Sequence, residues 1–355
     1  MSQVILVTGG AGFIGSHCVL TLLESNYEII VMDNLSNAIC TEVNQNGLPE
    51  SLRRIELITS KKIQFYNTDL LDARGIAQIF RDHKISAVIH FAGLKAVGES
   101  MVKPLEYYEN NVAGTINLLK VMREYNVKNL IFSSSATVYG LPQYLPIDEN
   151  HPTGSTITNP YGRTKFVIER ILEDLSNSEK DWCIVSLRYF NPIGAHESGE
   201  IGEDPQGIPN NLMPFISQVA VGRRPKLQVF GDDFKTKDGT GVRDYIHVID
   251  LARGHVIALD KVFLNKWSGF KVFNLGNGCG LSVLEVIDAF EKANGVKVPY
   301  EIVARRPGDV DAMFADNRKA LEVLGWKPHY SITDMCKHTW KWQSKNPRGY
   351  RSEDM

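Results

Sequence analysis

No apolar run in the chain approaches the roughly 18 residues that a membrane span requires. Met1-Ser2-Gln3-Val4 leads straight into a strand-like run, so no secretory leader is expected. Cysteine is sparse: Cys18, Cys40, Cys183, Cys279 and Cys336 are odd in number, scattered, and form no C-x-x-C pair. That excludes a disulfide framework and fits reduced thiols in a cytoplasmic protein. The nine histidines form neither H-E-x-x-H nor a tight His/Cys cluster, so no metal site is expected. Charge of one sign is missing too. Lys and Arg number 39 against 41 Asp and Glu, a net charge of −2, and no basic stripe stands out. Neither a nucleic acid nor a membrane surface is an expected partner.

What remains is an ordinary globular composition, 43% hydrophobic and 23% charged over 355 residues, long enough for two domains and a large core. β-branched runs at Val4–Val7, Glu28–Met32, Lys62–Tyr66, Ala87–His90, Asn129–Ser133 and Trp182–Arg188 alternate with amphipathic stretches. The helix-like stretches include Ile14–Glu24, Ile76–His83, Leu105–Tyr125 and Tyr161–Asp174. Strands alternating with helices predict right-handed βαβ units, and strands without polar alternation predict burial on both faces. The expected fold is α/β: a Rossmann-type doubly wound parallel sheet over 1–190, then a smaller C-terminal substrate-binding domain over 191–355. Part of 242–280 is expected to return to the first domain. Asn191–Pro214 and Gly231–Gly241 read as loops, and the polar end, Lys345–Met355, as frayed.

Thr8-Gly9-Gly10-Ala11-Gly12-Phe13-Ile14-Gly15 follows the first strand and opens the first helix. Glycines at such a turn let a pyrophosphate approach bare backbone, and the helix N-terminus offers it free N–H groups. The competing reading is an ordinary βα turn. Asp33, followed by Asn34, tips the second strand 18 residues past Gly15. A carboxylate there accepts from ribose hydroxyls and repels a 2′-phosphate, so NAD is expected as the cofactor, not NADP. Asp69-Leu70, past the third strand, is placed for an adenine contact, although Asp69 would serve equally as a helix cap.

Tyr161 and Lys165 form the one Tyr-x-x-x-Lys pair in the chain. Such a spacing arises easily by chance, and a surface pair on an amphipathic helix is the competing reading. Asn159-Pro160 immediately before it supplies a helix N-cap and a proline at the first helical position. Both side chains then share one helix face. A phenol near pKa ~10 is a poor base. A neighbouring ammonium, together with a cationic nicotinamide ring, is expected to lower that value and let Tyr161 take a hydroxyl proton while hydride leaves the same carbon. The serine cluster Ser133-Ser134-Ser135 at the end of a strand lies where ligands bind in open parallel sheets.

Together these residues resemble the extended short-chain dehydrogenase/reductase family and, within it, the branch that epimerises UDP-hexoses at C4. The resemblance runs through Val7–Ser16, His90–Ser100, Pro104–Val112, Phe132–Gly140, Asn159–Lys165, Arg188–Ala195, Gly202–Pro214 and Gly239–His247. It implies that Gly9, Gly12, Phe13 and Ile14 hold the pyrophosphate, that Asp33, Asn34 and Asn37 hold the adenosine, and that Asp69 and Leu70 approach the adenine. Phe91, Ala92, Lys95, Asn110 and Ser133 would line the route to the nicotinamide, with Tyr189 beside the ring. Ser135, Tyr161 and Lys165 match the catalytic hydroxyl, base and lysine. Lys95, Asn191, Asn211, Leu212, Phe230, Arg243, Tyr245, Arg306, Asp309 and Met313 match the UDP-sugar site, where two arginines suit a diphosphate.

The implied activity is reversible interconversion of UDP-galactose and UDP-glucose through a 4-keto sugar, with NAD resident, in a homodimer built on Leu105–Tyr125 and Tyr161–Asp174. Another NAD-dependent UDP-sugar epimerase and an inactive NAD or UDP-sugar sensor remain alternatives. Dehydration is not expected, because family members that dehydrate carry Thr-Asp-Glu where this chain has Ser135-Ala136-Thr137. At the position where the family has Tyr for plain hexoses or Cys for N-acetylated ones, this chain has Met313. A flexible thioether can move aside, so UDP-N-acetylglucosamine and UDP-N-acetylgalactosamine are expected to be accepted as well.

Overall fold

A computed structural model describes residues 3–39, 47–265, 267–306 and 308–351. Cys40 and the last four residues therefore lie outside the described residues. The chain begins β1 (Val4–Thr8), α1 (Phe13–Glu24), β2 (Glu28–Asp33), α2 (Glu50–Thr59), β3 (Gln64–Asn67), α3 (Ala73–Asp82) and β4 (Ala87–His90). It continues through α4 (Val97–Val102), α5 (Pro104–Tyr107), a π-helical segment (Tyr108–Ala113), α6 (Gly114–Glu124), β5 (Asn129–Ser135), α7 (Pro160–Ser178) and β6 (Cys183–Tyr189). Then come β7 (Asn191–Ile193), α8 (Leu212–Ala220), β8 (Leu227–Phe230), β9 (Val242–His247), α9 (Val248–Asn265) and β10 (Gly269–Leu275). The last elements are β11 (Gly280–Ser282), α10 (Val283–Asn294), β12 (Tyr300–Val303), β13 (Ala312–Met313) and α11 (Ile332–Lys345).

Seven strands form one parallel sheet in the order β3-β2-β1-β4-β5-β6-β10. This is the doubly wound α/β architecture. Alternate residues of a strand face opposite ways, and β1 shows it: Ile5 and Val7 pack with α1, α2 and α9, whereas Leu6 packs with α3, α6 and α7. Because helices cover both faces, a polar residue in the middle of these strands would be buried on either side. All seven residues of β6 are buried. The strand order reverses between β1 and β4, and a crevice opens at their carboxyl ends, where ligands enter such sheets.

A second core lies beyond β6. Ile193, Met213, Ile216, Tyr245, Val286, Phe290 and Met335 pack together under α8, α10 and α11. β9 is its central strand, parallel to β7 and β13 and antiparallel to β11, and β8 pairs with β12. The segment read as loop, Asn191–Pro214, thus opens with a short strand and ends in the first turn of α8.

Two expectations are corrected here. The run Leu105–Tyr125 is not one regular α-helix: the π segment interrupts it. There the Asn111 side chain turns inward, accepting from Leu94 N at 2.8 Å and donating to Leu94 O at 2.9 Å and Thr164 Oγ1 at 3.1 Å. Nor is the C-terminal segment frayed as a whole. Asn346 and Tyr350 are buried, held by contacts too distant in sequence for local polarity to reveal. No helix among the described residues is long and apolar enough to cross a membrane.

Candidate active site

The glycine loop forms the floor of the crevice. Gly9 has φ +69°, and an added Cβ would stand 2.6 Å from Ala92 N, so only glycine fits against the β4 loop. A Cβ on Gly15 would lie 2.2 Å from Gly9 O, which is how closely α1 approaches its own turn. Gly12 is different. A Cβ there would meet protein only at 3.5 Å and otherwise stand in the crevice itself. Gly12 is also the N-cap of α1 and offers no side-chain oxygen, so the helix N-terminus presents its N–H groups to the crevice.

At the tip of β2, Asp33 accepts from Ala11 N at 3.1 Å and from Leu35 N at 2.9 Å. Burial raises the pKa of its carboxyl and these two backbone N–H groups oppose the rise. Each carboxylate oxygen keeps a lone pair for a further donor. Asn34 donates to Asp69 Oδ2 at 2.6 Å, and Asp69 also accepts from Leu71 N at 2.8 Å. Asp69 is thus turned toward its neighbours, outside the lining of the crevice, while Leu70 lines it. The cap of α3 is Asp72, which accepts from Gly75 N.

Gly9, Gly12, Phe13, Ile14, Asp33, Asn34, Asn37, Leu70, Phe91, Ala92, Lys95, Asn110, Ser133, Tyr161, Lys165 and Tyr189 all line this one crevice. They come from six strand ends and three helical segments, so their convergence is a property of the sheet and not of sequence proximity.

Tyr161 and Lys165 sit on the first turns of α7, where Asn159 caps Gly162 N at 2.8 Å and Pro160 occupies the first turn. Lys165 is 5% exposed; its ammonium donates to Ser133 O at 2.7 Å and lies 4.9 Å from the centre of the Phe132 ring. Burial drives its pKa down to about 8, opposed by Glu169 one turn along the helix. The lowering expected of Tyr161 concerns the site with a cationic nicotinamide ring beside it. In the protein alone, burial raises its pKa, and a hydrogen bond with Ser135 opposes the rise. Ser135 Oγ in turn accepts from Thr137 Oγ1 at 3.0 Å and Thr137 N at 3.2 Å.

Tyr189 closes the inner wall. His255 Nδ1 donates to Leu251 O at 2.8 Å, which leaves Nε2 to accept from the Tyr189 hydroxyl. The His255 ring also lies 4.8 Å from that of Phe91. Burial holds His255 well below its ordinary pKa, at about 4, so it stays neutral. Nothing in the sequence singles out this histidine, which lies mid-helix and 66 residues from its partner.

The remaining candidates gather at the second core. Arg243 on β9 pairs with Asp309 at 2.8 Å, Arg306 approaches Asp309 at 3.4 Å, and the Arg306 guanidinium lies 4.6 Å from the Phe230 ring centre. Met313 is the register partner of Arg243 and packs against the cluster that holds Ala136, Val138 and Phe190. Asn191 donates to Asp244 O at 3.1 Å, and Leu212 opens α8. Tyr245 is buried within the second core. Asn211 and Lys95 share one acceptor, Glu203 Oε1, at 3.2 and 3.3 Å. Glu203 is one acid among several in its loop, and sequence reasoning missed it.

The comparisons with known proteins match this arrangement. A family model described as GDP-mannose 4,6 dehydratase matches residues 6–339. UDP-glucose 4-epimerase of Mus musculus is 57% identical over 351 residues, covering 99% of each chain. That of Bacillus subtilis is 55% identical over 352 residues, covering 99% of this chain and 100% of its own. The chain belongs to the UDP-glucose 4-epimerase family. The crystal structure of the Bifidobacterium longum UDP-glucose 4-epimerase, in complex with NAD+ and UDP, superposes with a TM-score of 0.92 at 53% identity, covering 98% of this chain and 100% of that one. Within the family, the Ser135-Ala136-Thr137 sequence at the end of β5 carries no carboxylate for a dehydration, in spite of the family model's description. Among the described residues no group of His, Cys, Asp or Glu is arranged to hold a metal ion.

Proposed function

We propose that the chain interconverts UDP-galactose and UDP-glucose by inverting C4, with NAD held in the crevice as a resident redox group. The observation that carries this reading is the meeting of Tyr161, Ser135 and Lys165 at the same strand end that adjoins the glycine loop and Asp33. The crevice suits a dinucleotide: Gly12 leaves open the space a side chain would fill, and Asp33 retains acceptor capacity for ribose hydroxyls and repels a 2′-phosphate. Gly9, Gly12, Phe13 and Ile14 would hold the pyrophosphate, and Phe91, Ser133 and Tyr189 would flank the nicotinamide. Bound there, NAD supplies a reversible hydride acceptor for C4.

The chain's own residues handle the proton. Tyr161 Oη takes it from O4, directly or through Ser135 Oγ, and returns it at the end of the cycle. Lys165, cationic and fixed on Ser133 O, favours the phenolate as it forms. Arg243, Arg306, Phe230, Asn191, Asn211 and Leu212 would grip the UDP while the hexose stays loosely held, since a tightly gripped keto sugar could not present its other face. Arg243 and Arg306 both pair with Asp309, and their convergence supports a shared grip on a diphosphate. Met313, a flexible side chain at the register partner of Arg243, supports acceptance of an N-acetylated hexose as well. A homodimer through α4 to α6 and α7 fits the exposure of Met101, Val102 and Leu105, and four free cysteines among the described residues fit the cytoplasm.

The test is to give purified protein UDP-galactose without added NAD, follow UDP-glucose by chromatography, and extract bound nucleotide from the same sample. Conversion with NAD released on denaturation is the expected result. Bound NAD without conversion would favour the sensor reading.

A further inference from the structure

The loop 199–204 reaches the crevice from the second lobe, and the C-terminal segment holds it. Tyr350 is 7% exposed, with its ring 5.1 Å from the Arg54 guanidinium and 4.7 Å from the Trp342 ring. Its hydroxyl accepts from Gly202 N at 3.2 Å and donates to Gly202 O at 3.3 Å. Its backbone N–H donates to Asp204 Oδ2 at 2.8 Å. The turn before it needs glycine: Gly349 has φ +73°, and a Cβ there would stand 2.1 Å from the Asp204 carboxylate. Asn346 donates to Gly199 O at 3.0 Å, Arg54 to Glu200 O at 2.9 Å, and Trp342 Nε1 to Glu203 O at 3.3 Å. Three carbonyls of the loop are thereby occupied by groups from α2, α11 and the tail, and the tail adds a fourth tie through Gly202.

The loop so held faces the phosphate end of the crevice. Gly202, Glu203, Asp204 and Tyr350 line one recess together with Gly12 and Phe13. Glu203 also restrains Lys95 from this loop, at 3.3 Å. None of these contacts touches Tyr161, Ser135 or the hydride-accepting end of the crevice.

We propose that Tyr350 is a positioning residue whose seating makes NAD resident: with the tail docked, the 199–204 wall closes the phosphate end of the crevice and keeps Lys95 over it. Undocking lets the wall swing away and the cofactor exchange. The proposal rests on the dinucleotide reading of the crevice.

The experiment compares wild-type protein with Tyr350→Ala and Tyr350→Phe. Each is passed through gel filtration, its NAD content is measured, and its kcat is determined with and without added NAD. Tyr350→Ala is expected to lose NAD about tenfold faster and to need added NAD for activity. Its kcat at saturating NAD should stay within about twofold of wild type, since the reacting groups are untouched. Tyr350→Phe keeps the stacking and should retain most of the cofactor. In the wild-type protein linkage demands the reverse effect, so added NAD must slow hydrogen exchange across 346–351. Exchange that ignores NAD overturns the proposal even if Tyr350→Ala does not fold. A Tyr350→Ala protein that retains NAD like wild type overturns the latch alone. A wild type that carries no NAD overturns the reading of the crevice, and the latch with it.

Discussion

The ammonium of Lys165 is fixed on the carbonyl oxygen of Ser133 at 2.7 Å, and Glu169 lies one helical turn beyond it. Glu169 accepts from Ser134 Oγ at 2.7 Å, Ser186 Oγ at 2.8 Å and Arg188 Nε at 3.0 Å, and pairs with Arg188 again at 2.7 Å. One buried carboxylate thus ties α7 to β5 and β6 just beneath Ser135, Tyr161 and Lys165.

This arrangement sets a pH dependence. With its pKa lowered to about 8, Lys165 loses its proton as pH rises through that value, and activity should fall along the same limb. Glu169 opposes the lowering, so Glu169→Gln should move the alkaline limb to lower pH, by on the order of one unit. It also strands the Arg188 guanidinium in the core, at a cost of about 3–5 kcal/mol in stability. The kcat–pH profile and thermal unfolding check both. Because the double variant Glu169→Met/Arg188→Met removes the whole pair, it should recover stability without restoring the limb. A profile unmoved in the folded double variant would show that Glu169 is structural only.

Tyr161→Phe keeps the ring in the crevice and removes the proton carrier. NAD content should be unchanged and kcat should drop by about 10²–10⁴-fold. Extraction of bound nucleotide beside a turnover assay measures the two separately. Full activity would remove Tyr161 from the mechanism.

Met313 is the side chain expected to decide sugar range. Met313→Tyr adds bulk and a rigid ring at the register partner of Arg243. It should depress the rate on UDP-N-acetylglucosamine at least about tenfold, with UDP-galactose turnover nearly kept. Equal losses on both substrates would place Met313 away from the hexose.

Leu105 is 78% exposed and Val102 is 80% exposed on adjacent helices. These are the apolar side chains that the proposed homodimer would bury. Leu105→Glu should convert the expected dimer to a monomer in sedimentation velocity, with NAD still bound. A wild-type monomer would dispose of this interface.

Much of the catalytic lobe was legible because its signals are local. β1, β2, β4, β5 and β6 are short runs buried on both faces, and Asn159-Pro160 announces α7 within a residue. The glycine loop and Asp33 are read from spacing alone. What escaped depends on contacts across the fold. His255 acquires meaning only when α9 lies against β6, and Glu203 only when its loop meets Lys95. Tyr350 belongs to a segment whose composition reads as frayed, and the stacking that buries it comes from residues 296 and eight positions away. The π segment was hidden for a related reason, since it is stabilised by Asn111 reaching the β4 loop and α7 and not by its own propensity. The burial that raises the Tyr161 pKa was hidden as well, because sequence shows which groups neighbour it but not how dry the site is.

β10 adds the seventh strand beside β6 only after the chain has passed through β7, α8, β8, β9 and α9. Until a ribosome has released Leu275, β6 offers the solvent a bare parallel edge that is apolar along most of its length, with Arg188 its one charged residue. Nascent or prematurely terminated chains that stop between these points carry Ser135, Tyr161 and Lys165 yet expose a template for aggregation, and chaperones and proteases would meet them as clients.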